Sequence, residues 1–297
     1  MATPLPATLR LPRPPVRRAI VLAHFDPHGC FDPHVAQALA AYRPLAEQIV
    51  VVSNSARSLP PLLRPLVDAF VPRANVGYDF GAWRDGLSRF RAADYDEVLC
   101  VNDSVYGPLF DLRPALNDAR VAEADLWGMV VSDQNLSRAA PRIRHVQSWF
   151  LGMRRTLVES DAWAMFWRDA GGPASKQQIV ERFEIGFSAR MAAAGFRIAG
   201  LYDSSTAGPV RLREVWPQLS PREPRRSWRL LRKSRRTPHN PADLVWWRLW
   251  EAGIPYLKVG VFRVNHYGLC LARLRADLRR RSGYPADLIE RHLARCG

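Results

Sequence analysis

The chain has 297 residues, of which 43 are lysine or arginine and 28 are aspartate or glutamate, so its formal net charge is +15. Its four cysteines are scattered without a C-x-x-C pair, which argues against a cysteine zinc site and against a disulfide framework. No apolar run approaches the roughly 18 residues of a membrane span. Because the N-terminus also lacks an apolar signal region, we expect a cytoplasmic protein.

The first two thirds of the chain predict an α/β domain. Residues 1–17, rich in proline and arginine, predict a disordered tail. Over residues 18–204, apolar runs alternate with amphipathic stretches, which predicts a mostly parallel central sheet flanked by helices. The predicted strands are 19–23, 49–52, 67–71, 97–101, 126–131 and 196–202. The predicted helices are 33–42 (with Asp32 as N-cap and Pro33 at the first position), 80–91, 153–170 and 176–194.

The last third predicts a basic, helical part that packs on the same domain. Residues 205–240 predict a basic loop, since 208–240 hold ten lysines and arginines against two glutamates. The segment 241–297 is predicted to be helical, with helices at 241–252, 270–281 and 285–295 and an extended stretch at 255–264.

The stretch N-V-G-Y-D-F-G-A-W, residues 75–83, lies between a predicted strand and a predicted helix. Ligands of open α/β sheets bind at such turns, at the carboxyl ends of the strands. Gly77 permits unusual dihedral angles or close approach of the backbone to a ligand. Asn75 and Asp79 offer oxygens and an amide to hydroxyl groups. A glycine-rich loop in which Asp79 is only the helix N-cap is the alternative.

Polar side chains also follow the first two strands. His24 and Asp26 come after the first strand, and Ser53 and Asn54 after the second. We expect them at the crevice edge, where a nucleotide base and ribose could dock. The chain contains neither G-x-G-x-x-G nor G-K-[ST], which argues against dinucleotide and P-loop sites.

The fourth predicted strand runs directly into Asn102, Asp103 and Ser104. A carboxylate beside an amide and a hydroxyl suits magnesium or manganese, which prefer oxygen ligands and often use one or two carboxylates plus substrate phosphates. Glycosyltransferases of the GT-A type have an Asp-x-Asp motif at this point, and Asn102 stands where its first aspartate would be. The alternative is that Asp103 only caps the following turn.

Residues 145–150 alternate polar and apolar positions and predict a strand that presents His145, Gln147 or Ser148 on one face. Amides and indole rings there would suit a ligand rich in hydroxyl groups. His266, in the sequence V-N-H-Y-G, could reach a metal or a diphosphate, although a lone histidine is more often structural.

Glu184 is the candidate general base. Ile179, Phe183, Phe187 and Met191 recur every four positions and predict one buried helical stripe. Glu184 follows Phe183 by about 100° and therefore lies on the flank of that stripe. A carboxylate at a core edge that faces a cleft can accept the proton of an attacking hydroxyl. A solvated glutamate, or one in an N-terminal helical turn, is the alternative.

Five motifs occur in order along residues 18–264. They are N-V-G-Y-D-F-G-A-W, V-N-D-S-V-Y-G-P, H-V-Q-S-W-F-L-G-M, F-E-I-G-F-S and H-N-P-A-D-L-V-W-W-R-L-W-E-A-G-I-P-Y-L-K. As an ordered set they resemble the rhamnan synthesis protein F family of bacterial polysaccharide biosynthesis. The resemblance implies a GT-A-like glycosyltransferase with a nucleotide-sugar donor, dTDP-rhamnose, and a growing lipid-linked saccharide as acceptor.

The resemblance also implies roles for individual residues. The residues implied to line the donor pocket are Asn75, Gly77, Asp79 and Trp83. Asp103 would hold the divalent cation, and Glu184 would be the base of an inverting transfer. The sequence departs from the family pattern at Asn102, which leaves metal dependence open, and at His266, where an asparagine–proline pair is expected.

The sequence thus predicts a cytoplasmic glycosyltransferase. Its charge suits nucleic acid, anionic lipid or phosphorylated substrates. The arginine-rich segment 222–236 and the terminal helices could contact an anionic membrane at the cytoplasmic face of the inner membrane, or be solvated. No nucleic-acid partner is expected, because no helix-turn-helix, zinc-finger or RNP pattern occurs. A non-catalytic saccharide- or nucleotide-binding subunit is the second hypothesis, supported by the incomplete Asp-x-Asp motif.

Overall fold

A computed structural model describes residues 16–133, 143–172, 175–235 and 239–296. The predicted disordered tail therefore lies outside the described residues, apart from Val16 and Arg17.

Short strands form the centre of the fold. Their bounds are β1 Arg18–His24, β2 Gln48–Ser53, β3 Ala69–Pro72, β4 Glu97–Asn102, β5 Val105–Tyr106, β6 Leu126–Ser132, β7 His145–Val146, β8 Phe150–Arg154, β9 Ile198–Asp203 and β10 Leu257–Lys258. The main sheet has the order β3-β2-β1-β4-β8-β6-β7, with β9 paired to β6. Strands β1 to β4 run parallel, as do β6 and β9, whereas β8 and β7 are antiparallel to their neighbours. The prediction of a mostly parallel sheet is confirmed.

Helices flank this sheet. Their bounds are α1 Pro33–Tyr42, α2 Tyr78–Leu87, α3 Arg113–Leu116, α4 Arg155–Val158, α5 Asp161–Asp169, α6 Lys176–Ile179, α7 Gly186–Ala193, α8 Leu212–Val215, α9 Pro224–Ser234, α10 Pro241–Leu244, α11 Trp246–Glu251, α12 Val259–Arg263, α13 Leu271–Arg281 and α14 Ala286–Cys296. A π-helical turn, Val180–Ile185, joins α6 to α7. Among the described residues, no helix combines the length and apolarity needed to cross a bilayer.

The sheet is covered on both faces, which explains the continuous apolar runs of its strands. In β1, Ile20 and Leu22 belong to one hydrophobic cluster, and Val21 and Ala23 belong to another. Successive side chains of a strand point to opposite faces, so each cluster lies on its own side of the sheet. The first cluster also includes residues of the C-terminal helices, such as Leu244, Leu274 and Ile289.

The prediction of one helix over 153–170 is wrong for its first residues, which belong to a strand. Phe150–Arg154 forms β8, which pairs with β4 and β6, and only then do α4 and α5 follow. Gly152 makes this strand possible, because a Cβ there would lie 2.2 Å from the Trp127 indole. The close packing of that ring against the strand is not visible in helical periodicity.

The predictions for residues 205–240 and 255–264 are also partly wrong. The predicted loop contains the helices α8 and α9, because Leu230 and Ser234 are buried one turn apart while arginines occupy the other face. The predicted extended stretch contains only β10 and continues as α12. The predicted helix 241–252 divides at Val245 into α10 and α11.

Candidate functional site

A cavity of about 900 Å³ opens where β1, β2 and β4 end. We call the residues that follow these strands and begin α2 the pocket floor. The floor residues are His24, Asp26, Asn54, Asn75, Asp79, Asn102, Asp103 and Ser104. We call the C-terminal residues that line the cavity the pocket cover. The cover residues include Asp243, Lys258, Phe262, Arg263, His292 and Cys296. The fold thus brings together most of the sequence-predicted donor residues.

Asp103 is the central carboxylate of the floor. One of its oxygens accepts the backbone N–H of Phe25 at 2.8 Å and lies 4.0 Å from Nε2 of His24. Burial raises the pKa of Asp103 to about 8, and the negative charge of nearby Asp79 acts in the same direction. Among the described residues, no lysine or arginine forms an ion pair with Asp103. Asp103 thus lines the cavity without a directly paired lysine or arginine among the described residues.

Asn102 connects the end of β4 to the first turn of α2. Its Nδ2 donates to Oδ2 of Asp79 at 2.8 Å. Its Oδ1 accepts hydrogen bonds from the backbone N–H of Ser104 at 3.1 Å and from the Ser104 hydroxyl at 2.6 Å. Both lone pairs of this oxygen are thus used. The helix N-cap is Gly77 rather than Asp79, so the N-cap alternative for Asp79 is wrong.

His24 stabilises the turn after β1. Its Nδ1 lies 2.9 Å from Oγ of Ser53, its Nε2 lies 3.1 Å from the carbonyl oxygen of Cys30, and its ring stacks on Phe31. Burial lowers the pKa of His24 to about 4, so the ring is neutral at pH 7. Ser53 is fully buried and accepts the backbone N–H of Ala56 at 2.8 Å, so it shapes the turn and does not line the cavity.

Asp26 connects the floor to α14. Its carboxylate accepts the backbone N–H groups of His28 at 2.9 Å and Cys30 at 3.0 Å, and it pairs with Arg295. Although burial alone would raise the pKa of Asp26, the hydrogen bonds from Arg295 and the two backbone groups lower it to about 2. Arg295 also pairs with Asp32, so one guanidinium fastens α14 to both ends of the β1–α1 loop.

Two residues predicted to line the donor pocket have structural roles. Trp83 is 0% exposed, lies in the core and donates its indole N–H to the carbonyl of Val101 at 2.9 Å, so its prediction as a donor-pocket residue is wrong. Gly77 has a φ of +75°, and a Cβ there would lie 2.6 Å from the backbone of Gly171. The close approach predicted at Gly77 is therefore to another backbone segment and not to a ligand.

Glu184 belongs to a second cluster beside the floor. Ser148 donates its hydroxyl to Glu184 at 2.6 Å, and Nε2 of His145 lies 3.8 Å from the other carboxylate oxygen. Asn102 donates its backbone N–H to the carbonyl of Trp149 at 3.3 Å, so the cluster adjoins the end of β4. Glu184 is not among the residues that line the cavity. The predicted strand 145–150 is interrupted, because β7 ends at Val146 and β8 begins at Phe150.

Gln147 and His266 lie apart from the cavity. Gln147 is buried, donates to Oδ1 of Asn240 at 2.9 Å and accepts the indole N–H of Trp149 at 3.0 Å. His266 is exposed, and Nζ of Lys233 lies 2.9 Å from its Nε2. Because this ring nitrogen accepts from an ammonium group, it is not available to a cation. The prediction that His266 reaches a metal or a diphosphate stays a prediction, and its Nε2 is occupied by Lys233.

The cover residues were missed by sequence reasoning. Lys258 is held over the floor because β10 pairs with β5, which sets Lys258 opposite Val105. Its Nζ lies 3.4 Å from the Ser104 hydroxyl. The Y-L-K motif contains this lysine, but only the long-range strand pairing carries it to the end of β4. Arg263 reaches the cavity in the same way, since α12 follows directly.

A second group of metal-ligand type also lines the cavity. Atoms of Asp32, His34 and His292 lie within 4.8 Å of one another, and all three residues are buried. Burial lowers the pKa of His34 to about 4 and also lowers that of His292, which keeps both rings neutral. Arg295 holds both oxygens of Asp32, so this carboxylate already has a cationic partner.

The family model described as rhamnan synthesis protein F matches residues 49–215. Among curated proteins, the uncharacterized protein y4gN of Sinorhizobium fredii is 26% identical over 134 residues, which are 44% of this chain and 34% of that protein. The chain thus spans about a third of the length of y4gN. The virulence protein VirA of Vibrio anguillarum is 26% identical over 227 residues, which are 74% of this chain and 70% of VirA.

Similarity to solved structures is partial. A CMP-2-keto-3-deoxy-manno-octonic acid synthetase complexed with CTP gives a TM-score of 0.39 at 10% identity. The aligned region covers 63% of this chain and 90% of the synthetase chain. The glycosyltransferase GlyE of Streptococcus pneumoniae gives a TM-score of 0.31 at 12% identity. The aligned region covers 62% of this chain and 45% of the GlyE chain.

Proposed function

The chain belongs to the rhamnan synthesis protein F family, and we propose that it is a GT-A-like glycosyltransferase. It moves a sugar, rhamnose, from a nucleotide-diphosphate donor, dTDP-rhamnose, to a growing lipid-linked polysaccharide with inversion at the anomeric carbon. The reaction takes place at the cytoplasmic face of the inner membrane. The observation that carries the proposal is the cavity of about 900 Å³ at the strand ends, with carboxylates on its floor and with Lys258 and Arg263 beside Asp243 on its cover.

The two sides of the cavity suit the two parts of a nucleotide-sugar. Lys258 and Arg263 on the cover offer the donors and positive charge that a diphosphate requires. Asn54, Asn75 and Asp79 on the floor offer amides and oxygens to the hydroxyls of ribose and sugar. Polar groups that converge in a cavity of this size are typical of small-molecule sites.

Asp103 fits a divalent cation, magnesium or manganese. Its carboxylate is mostly buried, lies near the negative charge of Asp79 and has no lysine or arginine ion-pair partner among the described residues, which is the donor chemistry that a hard cation satisfies. When bound there, the cation supplies charge neutralisation for the departing diphosphate. Asn102 supports this site indirectly, since it fixes Asp79 beside Asp103 through its amide.

Glu184 is the proposed general base for the acceptor. Its position beside the floor, outside the lining of the donor cavity, suits an acceptor hydroxyl that approaches the sugar from the side opposite the diphosphate. The hydrogen bond from Ser148 orients one carboxylate oxygen and leaves the other to accept the proton. Glu184 lies in the π-helical turn between α6 and α7, next to the buried Phe183 and Ile185.

Transfer and donor hydrolysis by the purified protein test this function. With dTDP-rhamnose and manganese, we expect Glu184→Gln to lower turnover by roughly 10²–10⁴-fold, the usual contribution of a general base, while calorimetry shows unchanged donor binding. Glu159→Gln is the control, because Glu159 is an exposed glutamate of the same size and charge. Full turnover of Glu184→Gln would show that the base is another residue.

A non-catalytic nucleotide-sugar-binding subunit is the second candidate. The observation that favours it is Asn102, whose oxygen accepts two hydrogen bonds from Ser104 and whose amide donates to Asp79 where a second metal-binding carboxylate would be expected. Calorimetric binding of nucleotide-sugars, without hydrolysis or transfer to any saccharide acceptor in the presence of manganese or magnesium, would favour this function.

A further inference from the structure

A short segment exposes three large apolar side chains. Leu212 is 50% exposed, Trp216 is 68% exposed and Trp228 is 61% exposed, all within 17 positions of one another along the chain. Single exposed apolar residues are common and require no explanation. Two exposed tryptophans so close in sequence are less ordinary, because each indole leaves a large apolar surface in water.

Helix α9 presents a face of arginines, and the short helix α8, which begins at the exposed Leu212, packs against α9. Leu230 and Ser234 are buried and mark the inner side of the helix. At about 100° per residue, Arg225, Arg229 and Arg232 lie within about 60° of one another on the opposite side. All three are exposed, and the guanidinium of Arg232 lies 4.8 Å from the centre of the Trp228 ring.

The positive charge of this face is not neutralised within the described part of the chain. Arg225, Arg229 and Arg232 form no ion pair there, whereas Arg226 at the helix start pairs with Glu223. The other acidic residue of the region, Glu214, is bound by Arg248. The arginine face therefore offers uncompensated cations next to the exposed Trp228 ring.

The face lies next to the mouth of the cavity. Lys233 of α9 donates to the carbonyl oxygen of His266 at 2.8 Å. A Cβ on Gly268 would lie 2.7 Å from the backbone of Arg226, so the two backbones touch. The loop held in this way directly follows Arg263 and Val264, which line the cavity and are exposed.

We propose that α9, together with Leu212 and Trp216, is a docking surface for an anionic lipid bilayer. The arginines bind lipid phosphates, and the indole rings enter the headgroup layer, where amphipathic aromatic side chains are stable. A bilayer accommodates both the arginines and the apolar side chains of this surface. A purely ionic ligand would bind the arginines but would not explain why Leu212, Trp216 and Trp228 are exposed. The docked protein holds the mouth of the cavity at the lipid surface.

This orientation deepens the proposed function, because it delivers a lipid-linked acceptor to the cavity, but the docking itself does not depend on catalysis. It is measured with no donor present, by sedimentation of the full chain with vesicles of phosphatidylglycerol and phosphatidylcholine. Transfer to a water-soluble saccharide acceptor measures the proposed function separately. Failure of one measurement therefore does not imply failure of the other.

The deciding variant is Arg225→Gln/Arg229→Gln/Arg232→Gln. Each basic residue contributes about fivefold to partitioning near an anionic surface, so we expect a loss on the order of a hundredfold. Binding of the wild-type chain should weaken as salt rises and should be low on phosphatidylcholine alone. The charge-matched control is Arg57→Gln/Arg64→Gln/Arg89→Gln, three exposed arginines elsewhere on the domain, which should retain wild-type binding.

A second variant, Trp216→Ala/Trp228→Ala, tests the apolar part. We expect at least a tenfold loss of vesicle binding that remains at high salt, with an unchanged circular dichroism spectrum. The proposal is overturned if the two triple variants lose binding equally, or if the α9 variant binds like wild type. Salt-dependent retention on DNA without binding to the vesicles would also overturn it.

Discussion

The floor and the cover of the cavity differ in origin and in charge. The floor comes from strand ends close together in the first third of the chain and carries Asp26, Asp79 and Asp103. The cover comes from the C-terminal part and brings Lys258 and Arg263. The cover reaches the floor through the β10–β5 pairing and the Arg295 ion pairs, which are both long-range contacts. A site of this kind is complete only when both parts of the chain have folded.

This difference in charge indicates that the floor and the cover bind different parts of a ligand. A floor of carboxylates favours a cation and sugar hydroxyls, whereas cations on the cover favour phosphate. Substitutions on the floor should therefore change turnover and metal binding. Substitutions on the cover should change donor affinity or the attachment of the cover.

Among substitutions on the floor and the cover, the largest effect is expected for Asp103→Asn. Loss of the carboxylate removes the ligand proposed to hold the divalent cation, so we expect turnover to fall by roughly 10²–10³-fold, the cost of losing one key electrostatic stabiliser. The apparent affinity for manganese, measured by titration in the transfer assay and by calorimetry, should fall with it. Asp111→Asn is the control, since Asp111 is exposed and pairs only with nearby Arg113. Unchanged manganese affinity would contradict the assignment.

The next effect concerns the attachment of the cover. Arg295→Met leaves Asp26 and Asp32 without their cation, and their side chains are only 6% and 8% exposed. Because Arg295 itself is 28% exposed, we expect a loss of about 2 kcal/mol in the free energy of unfolding at pH 7, below that of fully buried pairs. Urea denaturation measures it. Arg291→Met, one turn earlier on the exposed side of α14, is the control.

The pH dependence of this loss has a definite sign. The folded-state pKa of Asp26 is lowered from 3.8 to about 2. Burial raises this pKa, and the hydrogen bond from Arg295 is the largest of the influences that lower it. The stability that Asp26 contributes is therefore present above pH 4 and disappears as the pH falls through about 2. The difference between wild type and Arg295→Met should narrow between pH 4 and pH 2. A constant difference over this range would show that the ion pair does not carry the effect.

The smallest effect is expected for Lys258→Met. Loss of one charged contact to the diphosphate should raise the KM for the donor about tenfold and leave kcat nearly unchanged. Steady-state kinetics and calorimetry with dTDP measure the two parameters. Arg89→Met, an exposed residue far from the cover in sequence, should behave as wild type. A fall in kcat at constant KM would place Lys258 in the chemical step instead.

Much of the floor was predictable from the sequence because its signals are local. The apolar runs of β1, β2 and β4 mark buried strands, and the polar residues that follow each run must meet at one edge of the sheet. His24, Asn54 and Asp103 were identified in this way. Trp83 was misassigned because its motif neighbours line the cavity, while its own position on α2 faces the core.

The cover was not predictable by the same means. Lys258 lies in a two-residue strand, too short to produce an alternating pattern, and its partner strand is β5. Arg295 is one of many arginines in helices that look solvated, and only the packing of α14 on α1 shows that it is paired. The basic segment 205–240 was assigned to a loop because its charge concealed the spacing of Leu230 and Ser234.

The contact between Gly77 and Gly171 also includes Gly81, since a Cβ on Gly171 would lie 2.7 Å from the Cα of Gly81. Two glycines of one helix turn and a third from a distant segment thus let two backbones touch under the turn that carries Asp79. A methyl group added at Gly77 or Gly171 would push the two backbones apart, and one added at Gly81 would collide with the Val76 carbonyl. During divergence or laboratory redesign these positions should resist change together, whichever sugar the enzyme comes to use.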